Sequence, residues 1–201
     1  MSPNLVLASG SPRRCQLLDG LGVAYEKRPV DLDESLLEGE APVDYVLRLA
    51  REKAAARATP GEVVLAADTT VVCDKEVLGK PVDDADAERM LGLLAGRSHD
   101  VLTGVAVYEP ARGHLVSRSE RTRVSIAPMT ATEISWYVDT GEPLDKAGSY
   151  AIQGLGALYV DAVEGNYTNV VGLPLPLVRR LFAELGYDLR SFQQHPPPSG
   201  P

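Results

Sequence analysis

Residues 62–73 read EVVLAADTTVVC, a run rich in β-branched and small apolar side chains that predicts a strand. One carboxylate, Asp68, interrupts it. A lone carboxylate is costly to bury, so Asp68 belongs at a strand end or beside a cleft, or else it bonds a neighbouring turn. After the strand, Asp74, Lys75 and Glu76 make a tight polar connection to Val77 and Leu78, which reads as a hairpin or a bulge. Before it, residues 42–58 (PVDYVLRLAREKAAARA) place Val43, Val46, Leu47, Leu49, Ala50 and Ala54 on one side of an amphipathic helix and Arg48, Arg51 and Glu52 on the other. Lys53 falls inside the apolar stripe. It either snorkels from the edge of the core or points its ammonium into a cleft. Asp83 to Ala95 is a further helix, stopped by Gly96. Strands and helices in alternation argue an α/β fold.

The rest of the chain extends that pattern. Asn4 to Ser9 reads as a short buried strand, and Ser11-Pro12 opens a helix that Gly20 or Gly22 ends. Residues 99–108 and 115–126 are strands around the loop 109–113. Thr130 and Glu133 make a capping box for a helix running through Thr140, with Gly141 as its stop. Asp139-Thr140-Gly141, which imitates an aspartic protease triplet, is therefore a helix end. Residues 142–156 form a long glycine-rich loop of the kind that tends to be functional. Residues 155–163 read as a strand and 175–185 as the last helix. We expect one domain over residues 1–190 and a disordered tail over 191–201, which holds QQHPPPSGP at 193–201.

Composition narrows the function. The chain has 201 residues, 44% hydrophobic and 24% charged, so it can build a core. Twenty Lys and Arg stand against 28 Asp and Glu, a formal net charge of -8. That is the wrong sign for a nonspecific duplex DNA binder or an anionic-membrane binder, so neither nucleic acid nor a membrane is expected as a partner. Any polyanion it takes must meet a local basic cluster. Only Cys15 and Cys73 occur, which speaks for packing roles in a reducing compartment rather than a disulfide framework. His99, His114 and His195 are too scattered for a His-rich metal site or a serine-histidine triad. No apolar run approaches the ~18 residues needed to span a bilayer, and no basic segment precedes Leu5 to Ala8, so a cytoplasmic location is expected.

Within this frame, Ser9-Gly10-Ser11-Pro12-Arg13-Arg14 lies between a strand and a helix N-terminus, where unpaired backbone N–H groups favour an anion. Two arginines in the first turn oppose the helix dipole, and an anion would compensate them. Arginine's planar fork suits phosphate oxygens. The alternative is a pair of solvated surface arginines. Asp68 has the chemistry of a general base or metal ligand, with Thr69 and Thr70 adding hydroxyls. Lys80 is pinned between Gly79 and Pro81, which suits a positioned side chain or an ordinary turn.

Several longer stretches resemble the Maf family of nucleoside triphosphate pyrophosphatases. They are LASGSPRR at 7–14, LAREKA at 49–54, LAADTTVV at 65–72, LGKP at 78–81, GRSHDVLTGVAV at 96–107, GEPLDKAGSYAIQGLGALYV at 141–160 and NVVGLPL at 169–175. The resemblance runs from about residue 4 to 186, and IQGLGALYV is similar to the branch that hydrolyses dTTP and UTP. It implies a mixed α/β fold with a bent, elongated sheet flanked by helices, two lobes and a central cleft, as in inosine-triphosphatase-like folds. By position it implies Asp68 as general base, with Arg13, Arg14, Lys53 and Lys80 gripping the triphosphate, Lys53 and Lys80 as catalytic cations, and Ser9 lining the loop. Arg13, Thr69 and Gln153 would tune base choice. Glu34 and Asp68 would hold a divalent metal, Mg²⁺ or Mn²⁺. The implied reaction is attack of water on the α-phosphorus with release of pyrophosphate. A homodimer is compatible with the resemblance. Two other activities stand beside it: a nucleotide-binding regulator of cell division without turnover, which does not need both Asp68 and Lys80, and a purine or 7-methyl-GTP pyrophosphatase. Ala67 stands where the family usually has glycine, and its extra methyl is expected to narrow the cleft.

Overall fold

The computed structural model describes residues 3–193. The strands are β1 (Asn4–Leu7), β2 (Glu26–Lys27), β3 (Glu62–Cys73), β4 (Glu76–Leu78), β5 (Ser98–Glu109), β6 (His114–Ile126) and β7 (Val160–Glu164). The helices are α1 (Pro12–Asp19), α2 (Pro42–Ala55), α3 (Asp84–Leu94), α4 (Ala131–Asp139), α5 (Tyr167–Val171) and α6 (Leu175–Glu184). The seven strands form one mixed sheet in the order β2-β1-β3-β5-β6-β7, with β4 paired to β3 off that path. This is the mixed α/β architecture expected from the alternation of elements. Among the described residues no helix is long and apolar enough to cross a membrane.

The chain, read from its sequence as one domain over 1–190, divides by its contacts into two compact units. The first runs up to Asp68 and adds Thr103–Glu120 and the segment from Gly172 onward; the second is Thr69–Leu102 with Arg121–Val171. Strands β3, β5 and β6 run from one unit into the other.

In the first unit β1 pairs parallel with both β2 and β3, in a register that sets Val6 beside Val64 and Leu7 beside Leu65. Side chains of a strand alternate between faces. Leu5, Leu7, Val63, Leu65 and Ala67 join a core with Leu177, Leu181 and Phe182 of α6. Val6, Ala8, Val64 and Ala66 join another with Ala50 and Ala54 of α2. Burial of both faces explains why these strands read as unbroken apolar runs rather than alternating ones. Gly104 lets α2 lie against the sheet, because a Cβ there would overlap the backbone carbonyl of Val46. At the flank, Arg28 grips the Glu62 carboxylate with two bonds of 2.8 and 3.0 Å.

In the second unit β3 turns into β4 through Asp74 and Lys75, both at positive φ (48° and 73°). This is the hairpin alternative, since a two-residue connection of that hand matches the strand twist. Leu91 and Leu94 of α3 pack with Tyr137 and Val138 of α4. Asp83 caps α3 through the N–H of Asp86, and Thr130 and Glu133 make the expected reciprocal cap on α4. Asp139 ends α4, and Gly141 follows at φ 73°.

Four local readings change. Residues 154–159 form a 3-10 turn instead of opening a strand, which starts only at Val160. The Glu142 carboxylate takes up the N–H groups of Leu155 and Gly156, leaving them unavailable to a ladder. Helix α5 was not legible, since it is short and depends on Asn166, whose Oδ1 accepts from the Asn169 N–H. The two-residue β2 is set by its neighbour β1. The segment expected to be disordered from 191 begins with packed residues. Phe192 is buried against Phe182, and its carbonyl accepts from the Ala24 N–H at 2.8 Å. The remainder, 194–201, lies outside the described residues. Cys15 is half-buried, Cys73 is buried, and both thiols are free.

Two outcomes follow from this packing. Gly104→Ala must push α2 off the sheet and should cost ~3 kcal/mol or more in denaturant unfolding; a loss under about 1 kcal/mol would show that the helix yields easily. Arg28 holds the Glu62 carboxyl down, to about 2 against an ordinary 4.5. Its stabilising effect is therefore full above about pH 5 and is lost as pH falls toward 2. Unfolding of Glu62→Gln compared with the parent between pH 6 and pH 2.5 should show the difference shrinking with acidification; a constant difference would refute the linkage.

Candidate active site

Alternation along β3 decides where Asp68 points. Val64 and Ala66 face α2, and Asp68 is the next residue on that side. Ala50 and Ala54 put the corresponding stripe of α2 against the strand, and Lys53 belongs to the same stripe. The Lys53 ammonium meets Asp68 Oδ1 at 2.7 Å. Both residues are only 7% exposed. Lys53 is thus neither a snorkelling stem nor a solvated charge, and Asp68 has the partner its burial demands.

The ammonium also holds Glu34 Oε1 at 2.5 Å. Glu34 lies in the irregular segment between β2 and α2, and α2 itself straps that segment in place. Tyr45 donates its hydroxyl to the Glu34 carbonyl at 2.9 Å. Arg48 binds the Glu40 carboxylate at 2.7 and 2.8 Å and the Ser35 carbonyl at 3.0 Å, while its guanidinium lies 5.7 Å from the centre of the Tyr45 ring. Tyr45, Arg48 and Glu40 escaped the sequence reading. Their signal was the acidic stretch DLDESLLEGE at 31–40 preceding a helix with a basic polar side. Burial, with the Asp68 and Glu34 charges behind it, pushes the Tyr45 hydroxyl up to about 12.

The segment after β1 supplies the cations. Ser9 is buried, and its Oγ accepts from the Ser11 N–H at 3.2 Å and from Arg14 Nη1 at 3.1 Å. Arg14 Nε donates to the Gly172 carbonyl at 2.8 Å, so its fork is fixed at both ends. Ser11 occupies the N-cap position of α1 without a side-chain cap, and no acid stands in the first turn. Burial lowers the Arg14 pKa, Asp68 and Glu34 oppose that shift, and Arg13 reinforces it. Arg14 therefore shares a field with both carboxylates and with Arg13.

Ser9, Arg13, Arg14, Glu34, Lys53 and Asp68 all belong to the first unit. Thr69, Lys80 and Gln153 belong to the second. Thr69 is half-buried on β3. Thr70, offered as a further hydroxyl, donates to the Leu78 carbonyl at 3.3 Å inside the hairpin. Lys80 is exposed between Gly79, whose carbonyl accepts from the Gly148 N–H, and Pro81. Gln153 is exposed at the head of the 154–159 turn. The methyl of Ala67 is fully buried in the α6-side core, on the face of β3 opposite Asp68. The expectation that it narrows a cleft is corrected by strand alternation.

The first unit thus brings together a buried ammonium bridging two carboxylates, a guanidinium fixed by two bonds, and a helix N-terminus with no acid in its first turn. The family to which the chain belongs is that of the Maf-like proteins, whose sequence pattern matches residues 4–185. A dTTP/UTP pyrophosphatase of Anaeromyxobacter dehalogenans (strain 2CP-C) is 56% identical over 191 residues, 94% of this chain and 97% of that protein. One of Geobacter sulfurreducens is 53% identical, over 85% and 91%. One of Symbiobacterium thermophilum is 49% identical, over 92% and 95%. The solved Staphylococcus aureus Ham1 protein aligns with 92% of this chain and 100% of its own at a TM-score of 0.49 and 15% identity, too slight a likeness to add to this.

The ion pair can be separated from its parts. Lys53→Met keeps the stem but leaves Asp68 buried without its ammonium, and should cost about 3–5 kcal/mol of unfolding free energy. Adding Asp68→Asn removes the stranded charge. The double variant should be more stable than the sum of the single losses predicts, and strict additivity would show that the two charges do not interact.

Proposed function

We infer that this chain hydrolyses dTTP and UTP to the nucleoside monophosphate and pyrophosphate. The observation that carries this reading is the Lys53 ammonium held between Asp68 and Glu34 next to Arg14, in a chain whose relatives at 49–56% identity are named for that activity. A triphosphate brings about four negative charges, and on a protein of net charge -8 only a local cluster of cations offers a field of the opposite sign. Arg13 and Arg14 supply it in the first unit, and Lys53 and Lys80 are assigned to the phosphates by their places in the LAREKA and LGKP motifs.

The donor set suits a small hard cation. Among the described residues no three His, Cys, Asp or Glu are grouped to hold a metal ion. Glu34 and Asp68, however, present oxygens no further apart than their two bonds to Lys53 laid end to end. Mg²⁺ or Mn²⁺ is commonly held by one or two carboxylates, with water and substrate phosphates completing the shell. Such an ion would supply charge neutralisation on the phosphate oxygens and a more acidic water. The chain's own residues do the rest. Arg13 and Arg14 orient the phosphates through charge-assisted bonds. Asp68 accepts the proton of the water as it attacks the α-phosphorus. Gln153 meets the imide edge of thymine or uracil, O4 and N3–H, with an acceptor and a donor side by side.

Product analysis decides the bond that is cut. Monophosphate and pyrophosphate from dTTP and UTP are expected; diphosphate and orthophosphate would mean attack at the γ-phosphorus. Faster turnover of 7-methyl-GTP or other purines would move the protein to a different branch, and binding without turnover would make it a regulator. Asp68→Asn should lower kcat on the order of 10²-fold or more with an unchanged fold, and chelation of divalent ions should abolish turnover reversibly. Near-parental kcat in Asp68→Asn would remove it as the base.

A further inference from the structure

The 151–156 segment is clamped at both ends by two side chains that the proposed chemistry does not use. Glu142 Oε1 accepts from the Leu155 N–H at 2.9 Å, and Oε2 accepts from the Gly156 N–H at 2.9 Å. Oε2 also accepts from the Tyr137 hydroxyl at 2.6 Å. The Tyr137 oxygen in turn accepts from the Ala151 N–H at 3.0 Å. One continuous chain of hydrogen bonds therefore runs from Ala151 through Tyr137 and Glu142 to Leu155 and Gly156, and Gln153 projects from the arc between them.

The clamp is itself anchored. Tyr137 is 1% exposed on α4 and packs in the second unit's core. Glu142 follows α4 directly, its N–H bonded to Thr140 Oγ1, and the Lys146 ammonium binds its carbonyl at 2.6 Å. Two glycines give the clamp room. Gly154 has φ 79°, and a Cβ on it would run into the Glu142 carboxylate; a Cβ on Gly156 would run into the Ala151 backbone and the Tyr137 hydroxyl. Burial works against the Glu142 charge, but the Tyr137 hydroxyl, the two N–H groups and Lys146 outweigh it and hold the carboxyl below its ordinary range. The group is ionised at neutral pH and accepts in all three directions, which a carboxylate can do and an amide cannot.

The need for such a clamp comes from the chemistry of an amide side chain. Gln153 matches the imide edge of thymine or uracil in one orientation and the reversed edge of cytosine in the other, so it selects only where its neighbours lock one orientation, and the backbone arc that carries it must hold the side chain where those neighbours can do so. We propose that Glu142, set by Tyr137, is a positioning residue for base selection, holding the arc that carries Gln153 in one shape so that imide bases are preferred over cytosine. This rests on the reading of Gln153 in the proposed function.

The test measures kcat/KM for dTTP, UTP and CTP in Glu142→Gln, Tyr137→Phe, Gln153→Ala and the Glu142→Gln/Gln153→Ala double variant, together with amide hydrogen exchange at Leu155 and Gly156. Glu142→Gln and Tyr137→Phe should each lower the dTTP-to-CTP ratio about 10-fold, speed exchange at those two amides, and leave the product pair unchanged. In the double variant the ratio should fall no further than in Gln153→Ala alone. If Glu142→Gln fails to fold, Tyr137→Phe, which keeps the ring and removes only the hydroxyl, carries the test. A parental ratio and parental exchange in the clamp variants, with the ratio collapsed in Gln153→Ala, would overturn the positioning role while keeping the base reading. A parental ratio in Gln153→Ala would overturn the proposal through the base reading itself.

Discussion

A lysine ammonium between two carboxylates, itself little exposed, holds α2, β3 and the segment after β2 in register. Lys53 and Asp68 would each be costly to bury alone, whereas Glu34 is exposed and adds its carboxylate from the rim. Together they form a satisfied cluster that can exist only if α2 lies close on β3, if β3 presents Asp68 to that face, and if the segment after β2 returns to bring Glu34. Gly104 meets the first condition, strand alternation the second, and the bonds of Tyr45 and Arg48 to that segment the third.

On the proposed function, an acidic protein meets its polyanionic substrate at a local group of cations, the two arginines after β1. Net charge governs long-range approach and solubility, whereas a bound phosphate experiences the few charges within a Debye length of it. The turn after β1 concentrates Arg13 and Arg14 at a helix start that carries no acid. There the N–H groups and both guanidinium groups act in one direction. Arg14 is fixed by Ser9 and Gly172 before any ligand arrives.

The second unit uses polar groups differently. Its loop residues are held by hydrogen bonds to one carboxylate and one phenol rather than by apolar burial, and glycines absorb the backbone geometry that this demands. A loop mounted in this way can be exposed at Gln153 and still keep one shape. The buried Tyr137 ring ties that shape to the core packing of α4.

The strands and long helices were legible because their signals are local. β-branched runs, the capping box at Thr130, the stops at Gly96 and Gly141 and the period of α2 depend on neighbours a few residues away. The residue types of the site were legible as well, since a carboxylate in an apolar strand and a lysine in an apolar stripe are anomalies that need partners. The partners were a different matter. Lys53 is 15 positions from Asp68 and 19 from Glu34 in the numbering, and the carbonyl that anchors Arg14 is 158 away. No periodicity encodes such pairings. The turn at 154–159 misread as a strand, the direction of the Ala67 methyl and the packing of Phe192 share that cause. The sequence by itself determined which elements form and which charges need partners, because propensity and desolvation act residue by residue. Only the tertiary structure decided which partners meet, because that depends on which backbones pack within reach of one another.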